Sequence, residues 1–153
     1  NMAARCYDTV IIDIDRKLDI KTKNELINAS NVVVGMTTQK LDDINYFNKR
    51  ISEGVVLKKE KTIITIGRYD EKSKYNAKNI SRSVLKQKQI VNTIPYNTVL
   101  FESVQEGKLI DMFIRFLGLK SKDENTFFVE EMKRLEESID YKIKELQQMG
   151  KMN

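Results

Sequence analysis

Short apolar runs rich in β-branched residues recur through the first two thirds of the chain. They are Thr9–Ile14, Asn31–Met36, Thr62–Ile66 and Ile90–Ile94. Each run has the length and composition of a β-strand. The first two are continuous rather than alternating, which is typical of parallel strands that are covered on both faces by helices. The pattern therefore predicts about four strands in a mostly parallel sheet.

Helical patterns separate these runs. The predicted helices cover Lys23–Ala29 after a capping box at Thr22–Glu25, a segment between a Thr38 cap and a Gly54 stop, a segment after an Asn76 cap, and Val99–Leu117 with a stop at Gly118. Strands and helices thus alternate through the first part of the chain. This alternation predicts an α/β fold with a doubly wound sheet and helices on both faces.

A long amphipathic helix is predicted after a capping box at Ser121–Glu124, with apolar side chains stepping by three or four residues from Phe128 to Met149. We expect two parts, an α/β domain over residues 1–120 and this helix over 121–153. The helix could pack on its own domain, pair with a partner protein or lie on a membrane. Its many glutamates would be repelled by anionic lipid, so docking or pairing is favoured.

Composition narrows the possible chemistry. At 153 residues the chain has the size of one domain, and its single cysteine and lack of histidine exclude an internal disulfide, Ser-His or Cys-His catalysis and zinc chemistry. No apolar run has the ~20 residues that a transmembrane helix needs, so we expect a cytoplasmic protein. The net charge of +5 comes from lysines spread along the chain. It favours a solvated surface and leaves non-specific DNA binding open.

A carboxylate follows the first apolar run, since Tyr7-Asp8-Thr-Val-Ile-Ile-Asp13 ends in Asp13. Ligand sites of open α/β sheets form at the carboxyl ends of strands. An acid there can hold Mg²⁺ through water while the metal bridges nucleotide phosphates, as in a Walker B strand. The alternative is that Asp13 and Asp15 are two loop carboxylates, with Asp15 paired to Arg16 or Lys17.

Later motifs follow Asp13 in a fixed order. They are the strand Ala29–Thr37, the strand end Ile63–Asp70, and Thr93-Ile-Pro-Tyr-Asn97 followed by Phe101–Gly107. Over roughly Tyr7–Leu117, the chain resembles the C-terminal half of a P-loop ATPase of the ParA/MinD type, in the SIMIBI class. Members of this family dimerise with ATP to position plasmids, chromosomes, pili, flagella or secretion systems.

The resemblance implies a set of site residues. Asp13 would be the catalytic acid and would bind the metal through water, while Gly67 and Arg68 at one strand end and Pro95, Tyr96 and Asn97 at the next would lie around the adenine. ATP and Mg²⁺ are the implied cofactors of a complete protein. A homodimer is the implied assembly.

The chain also departs from the family pattern. Asp15-Arg16 replaces a Pro-Pro pair, Gly67 replaces an Asn, and no Gly-x-x-x-x-Gly-Lys-Ser/Thr loop is present to cradle phosphates. By itself this chain is therefore not expected to hydrolyse ATP or to hold it tightly. In the family, the strand that leads into this loop lies between the strands that match Asp13 and Val32. The resemblance therefore implies one of three outcomes: an N-terminal half in the native protein, re-paired strands, or strand exchange with a second copy.

Two other functions stay open at this stage. One is a degenerate pseudo-ATPase that serves as a partner-binding scaffold. The other is a DNA-binding module that uses the basic cluster Arg68, Lys72, Lys74 and Lys78, with Tyr69 and Tyr75 interleaved.

Overall fold

The structure is a computed structural model that describes residues 8–85, 91–119 and 123–150. These residues form three strands and six α-helices in an α/β arrangement. In chain order the elements are α1 (Ile20–Ala29), β1 (Val33–Thr38), α2 (Leu41–Ser52), β2 (Thr62–Tyr69), α3 (Ala77–Leu85), β3 (Val91–Pro95), α4 (Thr98–Gln105), α5 (Leu109–Leu117) and α6 (Thr126–Gln148). A 3₁₀ turn at Lys59–Lys61 leads into β2.

The three strands form one parallel sheet in the order β1-β2-β3. The parallel α/β prediction is therefore confirmed, although the described residues supply three strands rather than about four. A doubly wound sheet requires a reversal of strand order, and this order has none. Both crossover helices, α2 and α3, contact the same cluster of Ile44, Ile66 and Ile80 on one face of the sheet. Such a result is expected when successive crossovers have the same hand.

The prediction of a first strand at Thr9–Ile14 is wrong. This segment has no regular secondary structure, and Val10, Ile11 and Ile12 are exposed instead of buried. A strand is stable only where a neighbour pairs its backbone groups. In the described part of the chain, no neighbour pairs with residues 9–14, and β1 pairs with β2 alone.

Coverage of β1 also differs from expectation. Helix α2 covers one face, where a Cβ added to Gly35 would lie 3.1 Å from Ile64 Cδ1 and 3.2 Å from Phe47 Cζ. Glycine therefore permits the close approach of Phe47 to the sheet. On the opposite face Val34 and Met36 are exposed, so the prediction that both faces of this strand are covered is wrong.

Helix α1 is capped differently from the prediction. Its N-cap is Asp19, whose carboxylate accepts hydrogen bonds from the Thr22 amide at 2.9 Å and from the Thr22 hydroxyl at 2.7 Å. These hydrogen bonds lower the pKa of Asp19. An acid suits the positive end of the helix dipole better than Thr22 would, and the helix starts earlier for this reason.

The other end of α1 is held by the side chain of Lys61, which reaches it from the entrance to β2. Its ammonium donates to the carbonyl oxygens of Ile27 at 2.5 Å, Ser30 at 2.9 Å and Asn28 at 3.2 Å. Burial lowers the pKa of Lys61, with the nearby Lys58 acting in the same direction. A cation at this position satisfies carbonyls that the helix leaves without partners.

The remaining predicted helix boundaries are partly confirmed. Gly54 adopts φ +108° after α2, and Asn76 accepts a hydrogen bond from the Asn79 amide at the start of α3. Lys40 rather than Thr38 is the N-cap of α2. The single helix predicted over Val99–Leu117 is two helices, because the chain turns at Gly107 with φ +69°. Ser121 lies outside the described residues.

Helix α6 docks on its own domain. Phe128 joins Met112 and Phe116 of α5 in a second apolar cluster, which also contacts Ile94 of β3. Buried Glu131 accepts hydrogen bonds from the hydroxyl of Thr93 and from Arg134. Within the described ranges, no helix has the length and apolar character to cross a bilayer. The division of the chain at residue 120 stays a prediction.

We predict that Ile66→Ala lowers the free energy of unfolding by about 3 kcal/mol, because Ile66 is 0% exposed and its loss leaves a cavity against Ile44 and Ile80. The control is Ile11→Ala, where the side chain is 91% exposed and a change within about 0.5 kcal/mol is expected. Urea denaturation followed by circular dichroism measures both. Equal effects of the two variants would contradict the assignment of the core.

Candidate functional site

The carboxyl ends of β2 and β3 lie side by side. Tyr69 is paired with Pro95 in the sheet register, and the Tyr96 amide donates to the Tyr69 carbonyl at 3.1 Å. Gly67 and Arg68 therefore adjoin the segment Pro95–Asn97. Five of the six site residues predicted from the sequence meet at one edge of the sheet, the edge at which parallel α/β proteins bind ligands.

The end of β2 is irregular. The register shifts between Ile66 and Tyr69, and Arg68 has φ +52°, which is uncommon for a residue with a side chain. The bulge leaves Arg68 exposed. A Cβ on Gly67 would meet only Met36 Cε and Thr37 O, both at 3.8 Å, so packing does not require a glycine at this position.

Gln39 joins the ends of β1 and β2. Its amide nitrogen donates to the carbonyls of Asp70 at 3.0 Å and Tyr75 at 2.9 Å, and its amide oxygen accepts from the Asp70 amide at 2.7 Å. Gln39 was not predicted from the sequence as a site residue. The sequence feature that could have identified it is its position directly after β1, because residues that follow parallel strands lie at the same edge of the sheet.

Tyr96 and Asn97 have different environments at the end of β3. Tyr96 is exposed, so its ring is available to a ligand. Asn97 is the N-cap of α4, where its side-chain oxygen accepts from the Leu100 amide at 2.8 Å. Its side-chain nitrogen donates to Asn125 Oδ1 at 2.7 Å, which links β3 to the start of α6. Asn97 therefore has a structural role that is independent of any ligand.

Asp13 lies on the segment that lacks a strand. It is exposed and makes no hydrogen bond or ion pair with another described residue. Two residues later the Asp15 carboxylate accepts from the Lys17 amide at 2.6 Å, as expected of a turn acid. Asp15 is therefore a loop carboxylate, which was one of the two interpretations from the sequence. Its partner is the backbone amide of Lys17 and not the charged side chain of Arg16 or Lys17.

Arg16 fixes the position of this turn relative to the sheet. Its guanidinium lies 3.8 Å from the centroid of the Tyr46 ring and 3.8 Å from Asp43 Oδ1. The other Asp43 oxygen accepts from the Thr38 hydroxyl at 2.6 Å, at the carboxyl end of β1. The backbone carbonyl of Arg16 also accepts hydrogen bonds, from Lys23 Nζ at 2.6 Å and from the Tyr46 hydroxyl at 2.9 Å. Three residues span at most about 10 Å, so Asp13 lies within that distance of Arg16.

The described ranges contain no group of three or more His, Cys, Asp or Glu side chains that could hold a metal ion. A water-mediated site needs only one acid, so the predicted role of Asp13 toward Mg²⁺ stays a prediction.

The basic cluster after β2 offers little for base stacking. Tyr69 and Tyr75 are half-buried and pack against Ile44, Ile66 and Ile80, and Lys74 Nζ lies 5.2 Å from the centroid of the Tyr75 ring. Single-stranded nucleic acid binds to rings that are free on one face. The lysines of this cluster are consistent with a solvated loop, which was the interpretation favoured from the sequence.

A second concave region lies at the opposite end of the sheet. A groove of about 650 Å³ separates α6 from the first residues of β2 and β3. Thr62 Oγ1 and Asn92 Nδ2 are buried there without a hydrogen-bond partner in the described structure, while Ser138 donates to Asn92 Oδ1 at 3.1 Å. The groove was not predicted, since it depends on where α6 docks. Its charged residues balance, three of each sign: Lys59, Glu60, Arg134, Glu137, Lys142 and Glu145.

We predict that Asn97→Ala lowers the free energy of unfolding by about 1 to 2 kcal/mol, because the α4 cap and the link to Asn125 are both lost. Asn97→Ser is the matched control, since a serine hydroxyl keeps the cap and loses only the link. It should be the more stable of the two variants in thermal denaturation. If both variants matched the unsubstituted protein, the structural role of Asn97 would be wrong.

Comparison with known proteins gives no matching family model, no matching curated protein and no matching solved structure. The functional interpretation therefore depends on the residues and on the geometry described above.

Proposed function

We propose that this chain supplies the base-binding part of a ParA/MinD-like ATPase whose phosphate-binding loop comes from a further segment. The observation that supports it most is the adjacency of Gly67 and Arg68 with Pro95–Asn97 at the carboxyl edge of a parallel sheet. The exposed Tyr96 ring gives a flat apolar surface beside the irregular backbone at the end of β2. Adenine is bound by this combination, an apolar face with a few fixed polar groups.

In the described structure β1 is an edge strand, and this supports the proposal that the sheet is incomplete. Among described residues this strand pairs only with β2, and Val10, Ile11 and Ile12 are exposed nearby in sequence although they have strand composition. In the proposal, a further strand pairs with β1, and residues 9–14 form a strand that pairs with the other edge of that further strand. Asp13 then acts on a Mg²⁺ ion through water, and the ion bridges the phosphates of ATP.

The biological role in this proposal is spatial positioning of a plasmid, chromosome, pilus, flagellum or secretion system by a dimer that forms with ATP. This chain by itself does not hydrolyse ATP in the proposal, because it contains no backbone nest and lysine for the phosphates.

A pseudo-ATPase scaffold is the second candidate. It is favoured by the exposed position of Asp13 and by Arg16, which is engaged with Tyr46 and Asp43 where the family has a Pro-Pro pair. The two candidates differ in nucleotide binding, which the complete protein retains in the first and lacks in the second.

We predict that adenosine monophosphate and ATP with Mg²⁺ shift the same backbone amides of this chain, those of Gly67, Arg68, Tyr96 and Asn97. The base contacts are made by these residues, so the phosphates add little and binding is expected in the millimolar range. The measurement is a titration followed by ¹H-¹⁵N correlation spectra. Guanosine monophosphate, which presents a different base edge, should give smaller shifts.

The matched variants for this titration are Tyr96→Ala and Tyr141→Ala, since both rings are similarly exposed but Tyr141 lies on α6 beside the groove. Tyr96→Ala should weaken the shifts and Tyr141→Ala should leave them unchanged. Absence of shifts at the four amides, or shifts confined to Asn92 and Ser138, would contradict the proposed site.

A further inference from the structure

Helix α6 bridges the groove at the amino end of the sheet. Its first turns are held by the cluster around Phe128, while near its other end Leu146 is buried and the helix contacts the turn Lys59–Lys61. Between these two contacts, Ser138 and Tyr141 line the groove of about 650 Å³. Pockets that bind small molecules have volumes of roughly 300–1,000 Å³. The groove therefore has the size of a ligand site, and the helix that borders it is held on both sides of it.

The sheet side of the groove contains Ile63 and Asn92. Asn92 is level with Thr65 in the register of β2 and β3, so Ile63, Thr65 and Asn92 project from one face of the sheet, the face toward α6. Asn92 is 8% exposed, and its Nδ2 has no hydrogen-bond partner among the described residues. A buried polar group without a partner is costly, and such a group needs an explanation.

The oxygen of the Asn92 amide is also incompletely bonded. Asn92 Oδ1 lies 3.1 Å from the Ser138 hydroxyl, but that hydroxyl lies closer, at 2.8 Å, to the Arg134 carbonyl. A serine hydroxyl has one proton and donates it to one of these acceptors at a time. When the Arg134 carbonyl takes it, the Asn92 side chain has both a donor and an acceptor to offer to a ligand.

The charges of the groove favour an uncharged ligand. Two of its three cations already have partners on α6, since Arg134 is paired with Glu131 and Lys142 Nζ lies 2.7 Å from Glu145. Phosphates and carboxylates are recognised by Arg and Lys side chains that pair with the ligand itself. An uncharged ring suits the groove better, because the Tyr141 ring at its border is 62% exposed and can stack on it.

An asparagine recognises a planar molecule by pairing with a neighbouring donor and acceptor, as it does with the edge of adenine in DNA. Asn92 can form two such bonds with an amide edge. Its N–H then donates to the carbonyl of the ligand, and its Oδ1 accepts from the N–H of the ligand. Asn92 Nδ2 is covered by its surroundings, so binding includes a turn about the last side-chain torsion, which is broad for asparagine.

We propose that the groove binds a small, planar, uncharged molecule with an amide edge, the chemistry that aromatic carboxamides and nucleobases share. Asn92 pairs with the amide edge, and Tyr141 stacks on the ring. The groove lies at the opposite end of the sheet from Gly67 and Tyr96, and it needs no phosphate-binding loop. The inference therefore goes beyond the proposed function, and either can fail without the other.

The first test is a titration of the chain followed by ¹H-¹⁵N correlation spectra, in which the amides of Ile63, Asn92 and Ser138 report on the groove. The probes are nicotinamide and uracil, which share the amide edge, and nicotinate, in which a carboxylate replaces the amide. Nicotinamide or uracil should bind with a Kd of about 1 mM or lower. Nicotinate should bind about tenfold more weakly, because it lacks the N–H that Asn92 Oδ1 accepts.

The two amide probes distinguish the sources of the ligand. Tighter binding of nicotinamide assigns the groove to carboxamides, and tighter binding of uracil assigns it to nucleobases. The proposal is overturned if neither probe binds, if nicotinate binds equally well, or if the shifts occur only at Gly67, Arg68 and Tyr96.

The second test removes the Asn92 amide. Asn92→Leu should weaken binding about tenfold or more without lowering the free energy of unfolding, because an apolar side chain of similar size replaces an incompletely bonded amide. Thr65→Val is the matched control. Thr65 Oγ1 is also buried without a partner among the described residues, but Thr65 is not one of the residues that line the groove. Binding should be unchanged in Thr65→Val, and unchanged binding in Asn92→Leu would contradict the role of Asn92.

The third test leaves the core intact. Tyr141→Ala should weaken binding about tenfold through the loss of stacking, whereas Tyr96→Ala should have no effect, although its ring is similarly exposed at 58%. Urea denaturation checks that both variants are folded, as expected for exposed positions. Weaker binding in Tyr96→Ala and not in Tyr141→Ala would place the probes at the carboxyl edge of the sheet and overturn the proposal.

Discussion

The pairing of β2 with a parallel strand on each side is the constraint on which the rest of this fold depends. Its first five residues, Thr62–Ile66, are buried, and its backbone groups are divided between β1 and β3. A parallel sheet can be joined only by long crossovers, so α2 and α3 are held on one face by the same pairing. The ends of all three strands are thereby brought to one edge, and that edge holds most of the candidate nucleotide site.

The two outer strands of the sheet have different surroundings. Along β3, α6 packs through the buried Glu131 and through the cluster around Phe128. Along β1, the side away from β2 has no strand among the described residues, and the face away from α2 exposes Val34 and Met36. An unpaired edge beside exposed apolar side chains is a place where another strand can add. This asymmetry is what links the fold to the proposal of a further segment.

Polar chemistry is concentrated at the two ends of the sheet, with different characters. At the carboxyl edge, Gln39 and Tyr96 connect adjacent strand ends by hydrogen bonds to the backbone, leaving a surface with an exposed ring and a bulge. At the amino edge, the groove beside α6 contains balanced charges and two buried polar atoms that have no hydrogen-bond partner among the described residues. Only the first has the position that parallel α/β sheets use for nucleotides. A third feature is the exposed apolar face of α5, which contains Ile110, Ile114 and Leu117.

The sequence by itself determined the α/β fold class and three of the strands, because strand composition and the alternation of strands with helices are local properties of the chain. It also identified Gly67, Arg68 and Pro95–Asn97 as strand-end residues, since composition changes sharply where a buried strand stops. Only the tertiary structure decided that Thr9–Ile14 is not a strand, because its apolar run has strand composition and still needs a neighbour to pair with. The tertiary structure also decided which face of α5 is buried. Phe116 and Leu117 are both apolar, but Phe116 packs against Phe128 and Leu117 is exposed to solvent. The sequence cannot distinguish them, because the position of α6 determines which face is covered.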